Sequence, residues 1–243
     1  MPICKNKNAI LVFESPWKLD DYDANRSSVL PFVQGIAKMH GDTEVYSLNF
    51  YNKKSFEIAL ECLCRQKFDN TLVYIAAHGS KSRIGDVSLE DLLGAINDKS
   101  SKFNIKGLML GSCFAGSNPS LLEQFLEGSK LTWCAAYSSS CYWLQGTMLD
   151  CALLHSALNI EDAHYKTHEE MQQAFAEAVA PFAPNAEIGT DSKDRPVALS
   201  DSLQIVIQPE GRGFRARLSS EDIFARAKAH RLNEHDEEAE EAF

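Results

Sequence analysis

Two short segments hold residue types that together could do covalent chemistry. One is Ala76-Ala77-His78-Gly79-Ser80. The other is Gly111-Ser112-Cys113-Phe114-Ala115-Gly116-Ser117. A thiol attacks a carbonyl only as a thiolate, or with a base at hand to take its proton. An imidazole titrates near neutrality and can do either job. The oxyanion that forms on attack then needs N–H donors. Glycine lets a backbone turn sharply and present those donors. His78 and Cys113 are therefore the candidate catalytic pair, and the N–H groups of Gly79 and Cys113 the candidate oxyanion donors.

These residues need elements that bring them together. Leu72-Val73-Tyr74-Ile75 precedes His78, and Gly107-Leu108-Met109-Leu110 precedes Cys113. Neither run alternates with polar residues, as expected of central parallel strands covered on both faces. Strands are predicted at Ala9–Phe13, Thr43–Phe50, Thr71–Ala77, Ile105–Leu110 and Leu131–Tyr137. Helices are predicted at Ser27–Met39, Ser55–Arg65, Pro119–Glu127, Met148–Leu158 and His168–Val179. Another carries Val87, Leu89, Leu92, Leu93 and Ile96 at helical spacing, with Ser88 as its N-cap. Asn118 or Ser117 caps the helix that opens on Pro119. Alternating strands and helices define an α/β fold with a mostly parallel sheet. In such sheets ligands gather where the strands end. The 35 residues from His78 to Cys113 leave room for one crossover helix, so the two strands are expected to be neighbours.

The pattern resembles the caspase-like family of cysteine peptidases: an apolar strand then His-Gly, followed by an apolar strand, a small or polar residue, another residue and Cys. Leu72 to Gly79 and Leu108 to Cys113 carry it. The segment Gly111 to Gly116 looks closest to metacaspase and CHAT versions. The likeness covers roughly the first 150 residues. It implies a three-layer caspase-like fold with a mostly parallel central sheet flanked by helices. It also implies a cysteine endopeptidase that cleaves a protein substrate, with Cys113 as nucleophile and His78 as acid and base. Metacaspases carry Asp two residues before the cysteine, where Gly111 stands here. Caspases place Arg after the first strand, where this chain has Glu14, Ser15, Pro16 and Trp17. Neither specificity carries over. The candidate substrate contacts are Glu14, Trp17, Ser112, Ser138, Ser139 and Cys141. Glu14 with Asp20, Asp21 and Asp23 makes the first loop acidic, which favours a basic P1 residue. Trp17 and Tyr142 offer an apolar wall instead.

Two other classes compete. Gly111 to Ala115 also resembles the nucleophile elbow of an α/β-hydrolase, with Cys in place of Ser. Its base would then lie downstream, at His155, His164, His168 or His230. An inactive caspase-like scaffold is the non-enzymatic reading. His164 and His168 have the spacing of two zinc ligands on a helix face, but such pairs more often face solvent. No metal and no other cofactor is expected.

Composition sets the remaining bounds. The chain has 243 residues, 44% hydrophobic and 24% charged, which is ordinary for a globular protein and excludes wholesale disorder. No apolar run approaches the ~20 residues of a membrane helix. The net charge is −10, and −4 without the six acidic residues between 234 and 241. That is no nucleic-acid footprint. The seven cysteines form no C-x-x-C pair, and Cys134 and Cys151 are expected to pack in the core. The expected setting is cytoplasmic, away from membrane and nucleic acid, with a protein partner that activates or inhibits. Residues 1–184 are expected to form the caspase-like domain. Residues 185–233 add a strand, hairpin and helix to it, and 234–243 form a frayed acidic tail.

Overall fold

The computed structural model describes residues 7–16, 28–161, 164–211 and 213–241. Its elements follow in chain order: β1 (Asn8–Glu14), α1 (Leu30–His40), β2 (Thr43–Asn49), α2 (Lys53–Leu63), β3 (Asn70–Ala76), β4 (Arg83–Ile84), β5 (Val87–Ser88), α3 (Leu89–Phe103), β6 (Ile105–Gly111) and α4 (Pro119–Glu127). Then come β7 (Trp133–Tyr137), α5 (Trp143–Asn159), a 3-10 turn (His164–Lys166), α6 (His168–Val179), β8 (Glu187–Thr190), β9 (Pro196–Ala198), α7 (Leu199–Ser202), β10 (Leu203–Ile207), β11 (Arg217–Leu218) and α8 (Ser220–Glu241).

Seven strands form the main sheet in the order β11-β10-β7-β6-β3-β1-β2. The strands β2, β1, β3, β6 and β7 run parallel, and β10 pairs antiparallel with β7 and with β11. Every residue of β3 is buried, because helices cover both faces. The two-residue period of a strand divides the core. Ile10, Val12, Leu72, Tyr74, Met109, Trp133 and Tyr137 face one side, with residues of α1, α5, α6 and α8. Leu11, Phe13, Val73, Ile75, Leu108, Leu110 and Cys134 face the other, with residues of α2, α3 and α4. The result is the expected three-layer α/β fold with a mostly parallel sheet.

Register brings the strand ends level. Glu14 pairs with Ala76, and Ala76 with Gly111. His78 and Cys113 each lie two residues beyond that last row, on neighbouring strands about 4.8 Å apart. Local signals hold at the helix starts. Ser88 accepts from the Asp91 N–H, and Asn118 from the Leu121 N–H. His164 and His168 fall in separate helical pieces, with Thr167 capping the second. They do not share a helix face. No helix among the described residues is long and apolar enough to cross a membrane.

Several boundaries differ from the sequence reading. The helix predicted from Met148 begins at Trp143, although Gly146 and Thr147 are weak helix formers. Its first turn is held by packing, since Trp143 meets Phe32 of α1 edge-on at 5.7 Å. In the segment 185–233, expected to add a strand, a hairpin and a helix, β8 and β9 form a hairpin, and α7 lies between β9 and β10. Arg217 and Leu218 pair with β10. The helix α8 runs to Glu241, through the acidic stretch predicted to fray. Glutamate, five of the eight residues from 234 to 241, is a good helix former.

Candidate active site

His78 leaves β3 and enters a small hairpin. The His78 carbonyl accepts from the Gly85 N–H at 2.7 Å, and the Ser80 N–H donates to the Arg83 carbonyl at 2.8 Å. Between these bonds Gly79 faces Ile84. In this pattern the flanking residues make the bonds, so the N–H of Gly79 points away from Ile84. The Gly79 backbone lies against Cys113: a Cβ added to Gly79 would lie 2.2 Å from the Cys113 carbonyl oxygen and 2.9 Å from its nitrogen. Only glycine allows this approach. Gly79→Ala is expected to part the two loops, destabilise the fold by about 1–3 kcal/mol as overpacking does, and cut turnover more than stability. Thermal unfolding and kcat on one peptide substrate check both.

Cys113 follows β6. Its Sγ accepts from the Cys141 N–H at 3.3 Å and lies 4.0 Å from the Cys141 carbonyl oxygen. A backbone donor on the sulfur is a partner that a thiolate accepts from. The next residue, Phe114, has φ 61°. That left-handed conformation costs roughly 1–2 kcal/mol for a residue with a Cβ. It is held by Phe114 N–H to Ser139 O (2.8 Å) and Ser117 Oγ to Phe114 O (2.7 Å). Such strain gathers where a backbone must aim a functional group. Among the described residues, neither the Gly79 N–H nor the Cys113 N–H donates to a protein acceptor. A half-buried thiol, an exposed imidazole on the adjoining loop and two N–H groups without a protein acceptor are groups of the kinds that acyl transfer calls on.

The candidate substrate contacts are placed unevenly. Glu14 is committed to the start of α1: its carboxylate accepts from Val29 N–H at 2.8 Å and Ser28 Oγ at 3.0 Å. Trp17, with Asp20, Asp21 and Asp23, lies outside the described residues. Ser112 is 1% exposed and packs against Gly79. Ser138 Oγ donates to Asp201 O, and Ser139 Oγ shares a hydrogen bond with Ser202 Oγ. Both hydroxyls tie the loop after β7 to α7. Cys141 is half-buried beside Cys113, and burial pushes its thiol pKa up. Cys134 and Cys151 are buried in the core; burial also raises the Cys134 thiol, and takes Cys151 to about 12. The six described cysteines are free thiols, and the described residues hold no group of three or more metal-ligating side chains.

Two features escaped the sequence reading. The β8–β9 hairpin braces the loop after β7, through Ser140 N–H to Thr190 O (2.9 Å) and Tyr142 N–H to Ile188 O (2.8 Å). The second is Asp150, 2% exposed within α5. Its Oδ2 accepts from Tyr74 Oη at 2.7 Å and its Oδ1 from Tyr137 Oη at 2.6 Å. Burial raises its pKa to about 7 against the pull of those two hydrogen bonds. Both tyrosines are pushed above their usual value, first by burial and then by the Asp150 charge. The available signal was a lone carboxylate between Leu149 and Cys151, on the apolar stretch of a helix.

No protein-family model matches the sequence, and no curated protein matches it. Among solved structures, caspase-1 from Spodoptera frugiperda superposes with a TM-score of 0.50 at 10% identity, over 83% of this chain and 86% of that one. At such identity the likeness is one of fold, and the fold is caspase-like.

Proposed function

We propose that the protein is a cysteine endopeptidase of the caspase-like kind, acting through Cys113 and His78. The observation that carries this reading is the contact between the His78 and Cys113 loops at the ends of adjacent parallel strands, with the N–H groups of Gly79 and Cys113 unclaimed. His78 takes the thiol proton as the Cys113 sulfur attacks the scissile carbonyl carbon, and the carbonyl oxygen becomes an oxyanion received by the two N–H groups. The C–N bond breaks as His78 gives a proton to the leaving amine. Water, deprotonated by His78, then hydrolyses the thioester and frees Cys113. The likeness to metacaspase and CHAT peptidases in the Gly111 to Gly116 segment belongs to this reading. So does a substrate that is itself a protein, with another protein controlling the activity.

His78→Ala is expected to lower kcat on the order of 10² or more, the usual loss for an acid/base group. His155→Ala and His168→Ala should leave it nearly unchanged. His155 lies within α5 beside Asn159, and His168 in the cleft between α6 and the Arg215–Arg217 segment. Neither lines the cavity at Cys113. Loss of turnover in a downstream histidine variant, with His78→Ala active, would move the base and favour the hydrolase reading. Failure of every thiol-directed peptide probe to label Cys113 would favour the scaffold.

A further inference from the structure

A slot opens beside Cys113 and runs inward between β3, β6, β7 and the first turns of α5. Val29, Tyr74, Gly111, Trp143 and Asp150 are among its walls. Asp150 is its one Asp, Glu, Lys, Arg or His, and it sits at the buried end. The carboxylate reaches the strand that carries the nucleophile: a Cβ on Gly111, two residues before Cys113, would lie 2.6 Å from Asp150 Oδ2.

We propose that Asp150 is the specificity-determining floor of the P1 pocket, and that the site takes chains with arginine or lysine on the acyl side of the scissile bond. The proposal rests on the peptidase reading above. Among the described residues no Lys, Arg or His forms an ion pair with Asp150. Its two hydrogen-bond donors are neutral hydroxyls, and each carboxylate oxygen keeps accepting capacity. A buried carboxylate without a counter-ion is costly. A guanidinium or ammonium brought by the substrate supplies the missing charge and takes the remaining lone pairs. An acidic P1 side chain would meet like charge, and a leucine would leave the carboxylate facing alkyl. The free volume of the slot is about 20 Å³, room for about one water. The proposal therefore requires the slot to widen as a long side chain enters. Glu14 is not the acid of this pocket, since its carboxylate holds the start of α1.

The test uses the full chain and a series of peptidyl acyloxymethyl ketones that differ only at P1: Arg, Lys, Leu and Asp. Labelling of Cys113 is followed by mass spectrometry in the wild type and in Asp150→Asn, with thermal unfolding of both. The Arg or Lys probe is expected to label the wild type at least about 10²-fold faster than Leu or Asp. Asp150→Asn should erase at least about 10²-fold of that advantage, as loss of one member of a buried charge pair does. Its Leu rate should not fall, since the change removes a charge that leucine cannot answer. Wild-type labelling led by Leu or Asp would overturn the assignment of P1 while the peptidase reading stands, whatever becomes of the variant. An equal fall of all rates in Asp150→Asn would make Asp150 a strut of the core and overturn it too. Labelling by none of the four would bring down the peptidase reading, and this proposal with it.

Discussion

Cys113→Ala abolishes peptide hydrolysis, by at least about 10³-fold in kcat, and leaves the melting temperature nearly unchanged: that is the expected result. The thiol is half-buried at a strand end. Its hydrogen-bonding neighbours are the backbone N–H and carbonyl of Cys141. Little packing is lost with it, whereas the nucleophile has no substitute. Cys134 is fully buried, and Cys151 is 6% exposed. Their alanine variants should lose about 1 kcal/mol of stability through the space left behind and keep turnover. Parallel measurement of kcat and thermal unfolding on the three variants separates chemistry from packing. Full turnover in Cys113→Ala would sink the assignment.

The second large effect is on stability against pH. Asp150 has a folded pKa of about 7, against an ordinary carboxylate value of 3.8, because burial penalises its charge. The folded state thus holds this proton more tightly than the unfolded chain does. The stability it confers is complete below the unfolded pKa and disappears as pH rises through about 7. Linkage makes the whole effect about 4 kcal/mol, of which more than half falls between pH 5 and 8. Urea unfolding of the wild type and of Asp150→Asn at these two pH values isolates the group. The wild type is expected to lose about 2–3 kcal/mol more than the variant on going from pH 5 to 8. Equal losses would mean that Asp150 ionises as readily in the fold as out of it.

The order of the central elements was readable because it rests on burial. Leu72 to Ile75 and Leu108 to Leu110 are apolar on both faces, and the structure covers both faces. Ser88 and Asn118 could be read as caps because capping is local. The β8–β9 hairpin could not. Its strands are only four and three residues long, and its brace on Ser140 and Tyr142 spans about fifty residues of chain. The start of α5 was missed for the same reason, since Phe32 steadies a turn that Gly146 weakens. The His78 and Cys113 loops were legible through their glycines and strand context. The acids around them were not. A sequence displays a carboxylate without its direction: Glu14 turns to α1, while Asp150, unremarked among leucines, turns to the slot.

The crowding at Gly111 has a consequence for descent. A carboxylate can reach this spot from position 111 or from position 150, but a side chain at 111 would run into Asp150 Oδ2. The two addresses are mutually exclusive tenants of one space. Relatives that hold an acid at the first are expected to hold a small neutral residue at the second, and the reverse. The exchange should also be open to experiment. Gly111→Asp alone ought to be damaging, and Asp150→Ala alone ought to empty the pocket of charge. Joined in one chain, the two changes should compensate only in part, because Asp150→Ala clears the carboxylate but leaves the Tyr74 ring, 2.7 Å from a Cβ at 111, while the shared contact still makes the pair non-additive.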